Sequence, residues 1–194
     1  MYIEKINGQP IQRKELKEVK ATLADSQEIA DIQAQIRLNA LKDKSGQSVF
    51  AADSKEFIES IIKSKRGAIM LYYNDDELVG FMELTCPDEA HELVEEYGLE
   101  EHLPHEDYEN MGVAESFVVF PKYRGNGLQA QMFERMEELA LEKGITSLIG
   151  TVHPENIYSC HNFDVCDYET VAEIQSHGGP RFLKYKKTGF SKTR

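Results

Sequence analysis

The stretch from Met111 to Val152 constrains the fold more than any other. Met111 to Phe120 is the longest run of strand-forming residues, and Pro121 closes it. Lys122-Tyr123-Arg124-Gly125-Asn126-Gly127 follows, and a helix opens directly behind it. Leu128, Met132, Met136, Leu139 and Ala140 fall on one helical face, and Gly144 ends the pattern. Ile145 to Val152 then reads as a buried strand, stopped by His153-Pro154. Strand, glycine-bearing loop, helix and strand in this order predict an α/β chain. The loop is also where chemistry is expected. Backbone N–H groups at a helix start have no intrahelical partner, and the helix dipole adds positive charge there. Glycines let phosphate oxygens approach the backbone, and Arg124 adds a fixed charge. The residues alone leave two readings of Gly125 and Gly127: a simple turn, or an anion site.

The remaining elements follow from spacing. Asn7-Gly8 between Tyr2–Ile6 and Gln9–Arg13 predicts an N-terminal hairpin. Lys17 to Thr22 is a short strand. Asp25, three residues before Glu28, reads as a helix cap with its capping-box acid, and Ile29, Ile32, Ile36 and Ala40 carry that helix to about Leu41. After a loop over Ser45 to Asp53, the residues Phe57, Ile58, Ile61 and Ile62 mark a second helix, ended by Arg66-Gly67. Ala68–Tyr73 and Leu78–Leu84 flank an Asn74–Glu77 turn as a β-hairpin. Asn156 to about Phe163 is a brief helix. Tyr168–Ile174 and Arg181–Lys187 are two further strands, joined through Ser176–Pro180. At 194 residues, one domain spanning 1–194 is the simplest organisation.

Charge divides the chain unevenly. It carries 34 acids and 22 bases, a net −12. Ten of the acids lie between Pro87 and Glu109, where there is no Lys or Arg, so the rest of the chain is close to neutral. Within that segment Ala90, Leu93, Val94 and Tyr97 fall at i, i+3, i+4 and i+7, which predicts a short amphipathic helix stopped by Gly98.

Several function classes drop out. A general nucleic-acid binder needs a basic face, which this chain lacks. No apolar run approaches ~18 residues, so no membrane span is expected. Cys86, Cys160 and Cys166 form no paired framework and no Cys-x-x-Cys, which predicts reduced thiols and a cytoplasmic setting. The first twenty residues lack the apolar core of a signal peptide. His91, His102 and His105 match no strong metal spacing, so no metal is expected. Gly125-x-Gly127-x-x-Ala130 fits the dinucleotide fingerprint formally. Yet Pro121 to Arg124 separate the strand from the first glycine, and no acid stands at the tip of the following strand for a ribose. No Gly-Lys-Ser/Thr is present for a nucleotide-binding P-loop.

Phe117-Val118-Val119-Phe120-Pro121-Lys122-Tyr123-Arg124-Gly125-Asn126-Gly127-Leu128 resembles the acetyl-CoA motif of the GNAT family of N-acetyltransferases, Arg/Gln-x-x-Gly-x-Gly/Ala at the start of the long helix. Here it reads Arg124-x-x-Gly127-x-Gln129, with Gln129 departing at the last position. Lys20 to Asp25 resembles the family's first strand and its turn into a helix, and Val152-His153-Pro154-Glu155-Asn156 falls where the family carries a cofactor-contacting Asn. The resemblance covers about residues 17 to 187. It implies the GNAT fold: an α/β (α+β) chain with a mixed, mostly antiparallel sheet of about six to seven strands and about four helices. Residues 1–16 are then an N-terminal extension and 87–109 an acidic helical insert.

The resemblance also implies an activity, acetyl transfer from acetyl-CoA to a primary amine on a small molecule or peptide. Phe117, Val118 and Val119 would lie along the pantetheine arm as an added strand. Arg124, Gly125, Asn126, Gly127, Leu128, Gln129 and Ala130 would hold the pyrophosphate, and Asn156 the pantetheine region. Glu115, two residues before the thioester-binding stretch, would be the general base. The family's usual acid position is Phe163, which has no proton to give, and Tyr158 is the expected substitute. His177 borders the acceptor. A homodimer is common in the family. The competing reading is a GNAT-like module that binds acyl-CoA without turnover, as a sensor or interaction domain. The acidic insert is expected either to form a flap favouring a cationic amine or to serve as a solvated cover.

Overall fold

The computed structural model describes residues 1–86 and 91–189. Strands β1 (Tyr2–Ile6) and β2 (Gln9–Glu15) form a separate antiparallel hairpin. Asn7 and Gly8 both take positive φ at its turn, the geometry that Asn-Gly favours. Seven strands make the main sheet: β3 (Lys17–Lys20), β4 (Ala68–Asn74), β5 (Glu77–Thr85), β6 (Met111–Val119), β7 (Ser147–Val152), β8 (Glu169–Ser176) and β9 (Gly179–Lys187). Their spatial order is β3-β4-β5-β6-β7-β9-β8, antiparallel throughout except for the parallel pair β6–β7. The described residues contain five α-helices, the four expected and the one in the acidic insert: α1 (Ser26–Asn39), α2 (Lys55–Lys63), α3 (His91–Tyr97), α4 (Leu128–Glu142) and α5 (Ile157–Val165).

Alternation along the strands feeds two opposite layers. Met70, Tyr72, Met82 and Leu84 pack with Met132, Phe133 and Met136 of α4 and with Phe163 of α5. Ile69, Leu71 and Phe81 turn the other way, onto Ile29 of α1 and Ile58 and Ile61 of α2. The acidic insert covers a third cluster, where Leu93, Tyr97, Leu99 and Leu103 meet Met111, Val113, Ile149 and Leu183. Its charges thus ride on a helix whose apolar side is committed to the sheet. Gly98 stops α3 at φ +61°. Ala90, the first apolar position of that expected helix, lies outside the described residues.

Two expectations shift. The capping box stands one step earlier than the sequence suggests. Thr22 donates both its backbone N–H and its hydroxyl to Asp25 (2.7 and 2.8 Å), and α1 begins at Ser26. The first strand correspondingly ends at Lys20 rather than Thr22. A three-residue 3-10 turn, Leu23–Asp25, claims the residues between them.

Two irregularities in β6 position everything that follows. Met82 pairs with Phe117 and Leu84 with Ala114, so Glu115 and Ser116 together oppose Glu83 alone. This is a β-bulge, which re-aims side chains at a strand's working end. On the other side, β6 pairs with β7 only at Met111, Gly112 and Val113. Beyond that the two strands part, and Phe163 fills the wedge at their fork. A Cβ on Gly150 of β7 would stand 2.8 Å from the Phe163 ring and 3.1 Å from the Ala114 carbonyl, so only glycine fits there.

Candidate active site

The bulge places Glu115 in the wall of a cavity of about 420 Å³. Four parts of the fold build it: the loop and first turns of α2 (Asp53, Ser54, Phe57), the end of β5 (Thr85, Cys86), the insert (Glu96, Tyr97) and the β8–β9 turn (His177). Glu115 is half-buried and accepts a hydrogen bond from the Thr85 hydroxyl (2.7 Å). Desolvation pushes its pKa up to about 7. The Thr85 hydrogen bond opposes this rise, while the nearby charges of Asp53 and Glu96 add to it.

A second carboxyl lies under the first. Glu83 is fully buried, and Gln33 of α1 donates to both its oxygens (2.9 and 3.0 Å). Burial holds the Glu83 pKa well above the usual carboxylate range, with Asp53 reinforcing the shift. The same Gln33 accepts from the Asp53 backbone N–H (2.8 Å), and Ser116 donates to the Asp53 carboxylate (3.4 Å). Asp53 is thereby fixed at the cavity wall by groups from α1 and β6. Asp53, Glu96 and Glu115 all reach the cavity, and among the described residues no Lys or Arg lines it. His177 sits at φ +51° in the tight β8–β9 turn, and burial, then the Arg181 charge, lowers its pKa, so it is neutral at neutral pH.

The loop between α1 and α2 is tied across the sheet's end. Arg181 donates to the Val49 carbonyl (3.0 Å). The buried His153, following β7, lies 3.2 Å from Asp43 through Nε2. His153 Nδ1 accepts from the Glu155 backbone N–H (3.1 Å), which makes Nε2 the donor toward Asp43. Asp43 is held down to a pKa of about 2, first by the Ser45 hydroxyl and then by the Gln47 backbone N–H.

The expected cofactor residues lie along one line. Phe117, Val118 and Val119 occupy the part of β6 that has left β7. Phe117 stacks on Phe133 of α4 at 4.0 Å between ring centroids. A 3-10 turn, Pro121–Tyr123, then delivers Arg124, whose Nε donates back to the Val119 carbonyl (3.3 Å). Gly125 and Gly127 take φ +80° and +65°, and nothing stands within 4 Å of where their Cβ atoms would be. Gly127 is the N-cap of α4, so Leu128, Gln129 and Ala130 form the helix's first turn, their N–H groups without intrahelical partners. An open, glycine-lined helix start beside a bared strand edge fits a long anionic thioester such as acetyl-CoA.

Individual side chains also have partners within the fold. Asn126 is turned away from the loop's open face and bonded to the N-terminal hairpin. Gln129 accepts a hydrogen bond from Asn162 of α5 (2.7 Å), which explains a polar residue where the motif has glycine or alanine. Asn156 caps α5, its Oδ1 accepting from Ser159 N–H (3.2 Å). Tyr158 does not join Glu115: it is 74% exposed on α5 and is not among the residues that line the cavity. Phe163 lies in an aromatic cluster with Phe133 and Tyr168. Burial raises the pKa of Cys160 and pushes that of Cys166 up to about 11, so both stay thiols. Among the described residues no group of three His, Cys, Asp or Glu is placed to hold a metal, and no helix is long and apolar enough to cross a membrane. Sequence reasoning missed Asp53 and Tyr97 as cavity residues. The Asp53–Ser54 start of α2 is the one local signal for the first, and Tyr97 reads as an ordinary apolar position of α3.

Comparison with known proteins agrees with this fold. The family model described as Acetyltransferase (GNAT) family matches residues 35–168. No curated protein sequence matches the chain. Among solved structures, a GNAT-family acetyltransferase from Streptococcus pneumoniae superposes with a TM-score of 0.65 at 17% identity, covering 90% of this chain and all of that one. A ribosomal-protein-alanine N-acetyltransferase from Brucella melitensis gives 0.62 at 16% identity, covering 89% and 99%. A phosphinothricin acetyltransferase from Sinorhizobium meliloti, solved with acetyl-CoA, gives 0.64 at 13% identity, covering 91% and 90%. At these identities the likeness is one of fold.

Proposed function

The chain belongs to the GNAT acetyltransferase family, and from that premise we propose that it transfers an acetyl group from acetyl-CoA to the primary amine of a cationic small molecule or peptide. The observation that carries this reading is the placing of Glu115. It stands on the bulge, between the bared stretch of β6 and a cavity that Asp53 and Glu96 also reach.

Acetyl-CoA brings an acyl group activated as a thioester; this chain's residues supply the rest. Backbone N–H groups of Phe117 to Val119 hydrogen-bond the extended arm and polarise the carbonyl. Arg124 and the amides from Gly125 to Ala130 offset the pyrophosphate charge, and Asn156 borders the arm. Asp53 and Glu96 draw a cationic acceptor into the cavity, and Glu115 takes the proton that its ammonium must lose, directly or through one water. With a pKa of about 7, Glu115 is poised for that transfer at neutral pH. The amine nitrogen then forms the new C–N bond and loses its second proton to solvent, the C–S bond breaks, and the departing thiolate takes a proton from solvent.

One observation favours a second reading, a CoA-binding module without turnover. The position of the family's acid is Phe163, buried in the aromatic cluster and unable to give a proton. Thiol release from acetyl-CoA by the full chain, over a panel from butylamine to diamines, triamines, aminoglycosides and basic peptides, separates the two. The expected result is release that is fastest with polycationic acceptors. Acetyl-CoA binding with no release across the panel would replace the first reading by the second.

A further inference from the structure

A second recess, of about 290 Å³, lies between the N-terminal hairpin (Tyr2, Glu4, Lys5, Arg13) and the glycine loop with the start of α4 (Gly125, Asn126, Gln131). The hairpin precedes the residues that the family model matches, yet dedicated contacts fix it to the loop. Asn126 Oδ1 accepts from the backbone N–H groups of Glu4 and Lys5 (2.8 and 2.9 Å), and its Nδ2 donates to the carbonyls of Lys5 and Tyr123 (2.9 and 2.8 Å). Gln131 accepts from Tyr2 N–H (2.8 Å) and donates to the Tyr2 carbonyl (3.2 Å). Ile3 of the hairpin is fully buried in the main core. The hairpin is therefore part of the loop's wall and not a loose extension.

The chemistry of the wall is that of a phosphate site. In a chain of net charge −12, this recess brings two cations, Lys5 and Arg13, beside Gly125. The Arg13 guanidinium lies 4.1 Å from the centroid of the Tyr2 ring, a cation–π contact. Its contact with Glu4 is 4.0 Å long and exposed on both sides, a pairing too weak to compete with a phosphate. A guanidinium held over an aromatic ring, with an ammonium and a glycine loop next to it, suits a nucleotide phosphate.

We infer that the N-terminal hairpin completes the acetyl-CoA site, with Lys5 and Arg13 taking the 3′-phosphate of the adenosine whose pyrophosphate the glycine loop holds. This rests on the cofactor assignment of the proposed function. Asn126 then serves as a positioning residue, which fixes the hairpin against the loop rather than touching the cofactor through its side chain.

The test is calorimetric titration of the full chain with CoA and with dephospho-CoA, which lacks only the 3′-phosphate. The wild type is expected to bind CoA about ten-fold more tightly or better, the range of a charge-assisted contact. The double variant Lys5→Ala/Arg13→Ala is expected to bind both at the wild type's dephospho-CoA affinity. Circular dichroism confirms that the variant, altered only at exposed positions, is folded. A wild type that does not discriminate, or a variant that still does, overturns the hairpin's role while the cofactor assignment stands. Binding of neither compound by the wild type overturns the cofactor assignment, and the hairpin's role with it.

Discussion

Glu115 owes its reactivity to its surroundings. Burial raises its pKa to about 7, and two acidic neighbours hold it there. Activity should therefore rise with pH along a limb centred near 7, since the base works ionised. Glu115→Gln should lower kcat/KM by about 10²–10⁴-fold and remove that limb, with the acetyl-CoA KM unchanged. The same shift has a consequence for folding. Between the ordinary carboxylate pKa of 4.5 and about 7, the folded protein keeps a proton that the unfolded chain releases, so stability falls as pH rises through that window. Glu115→Gln removes this loss. Thermal melts should show the variant gaining on the wild type from pH 5 to pH 8, by up to on the order of 2–3 kcal/mol. A gap that stays constant with pH would contradict the raised pKa.

At the scale of elements, the insert and the fork of β6 and β7 each make a claim. Of the insert's acids, Glu96 reaches the cavity wall, while Glu100 and Glu101 lie on the exposed turn that follows α3. Glu96→Gln should raise the KM of a cationic acceptor roughly three- to ten-fold, in the range of a partly desolvated charge contact. Glu100→Gln and Glu101→Gln should leave it unchanged, and none should alter the acetyl-CoA KM. Equal effects at all three positions would mean that the insert acts through its diffuse field. At the fork, Gly150→Ala drives a methyl against the Phe163 ring and the Ala114 carbonyl. A loss of about 1–3 kcal/mol in urea unfolding is expected.

Most elements were legible because each carries its own period. The Asn7-Gly8 hairpin, the faces of α2 and α4 and the stop at Gly98 all rest on neighbours within one turn or strand. What was not legible depends on pairing across the sheet. Nothing local to Glu115 and Ser116 announces that both will face Glu83, and the departure of β6 from β7 is a property of two strands. Asp53 was missed because its partners, Gln33 and Ser116, come from α1 and β6. The side-chain partners of Asn126 were hidden for the same reason, since they lie more than 120 residues away in the hairpin.

For the whole molecule, the net charge of −12 and the acidic cavity act together. With a cationic acceptor, kcat/KM should fall as salt rises from about 20 to 200 mM, because screening shortens the range of attraction from about 20 Å to under 10 Å. A neutral monoamine should show no such fall. Acetyl-CoA at about a hundred times its Kd should stabilise the chain by about 2.7 kcal/mol, and the matching rise in Tm is readable by calorimetry.

The parted strands have one more consequence. A strand that loses its partner midway acquires an edge, and bare edges ordinarily invite other chains to add on and aggregate. Here the edge of β6 faces inward, walled by Phe133 and Phe163 and closed by the helices that carry them. The molecule keeps its barest stretch of backbone against its own aromatic side chains rather than on its outer rim.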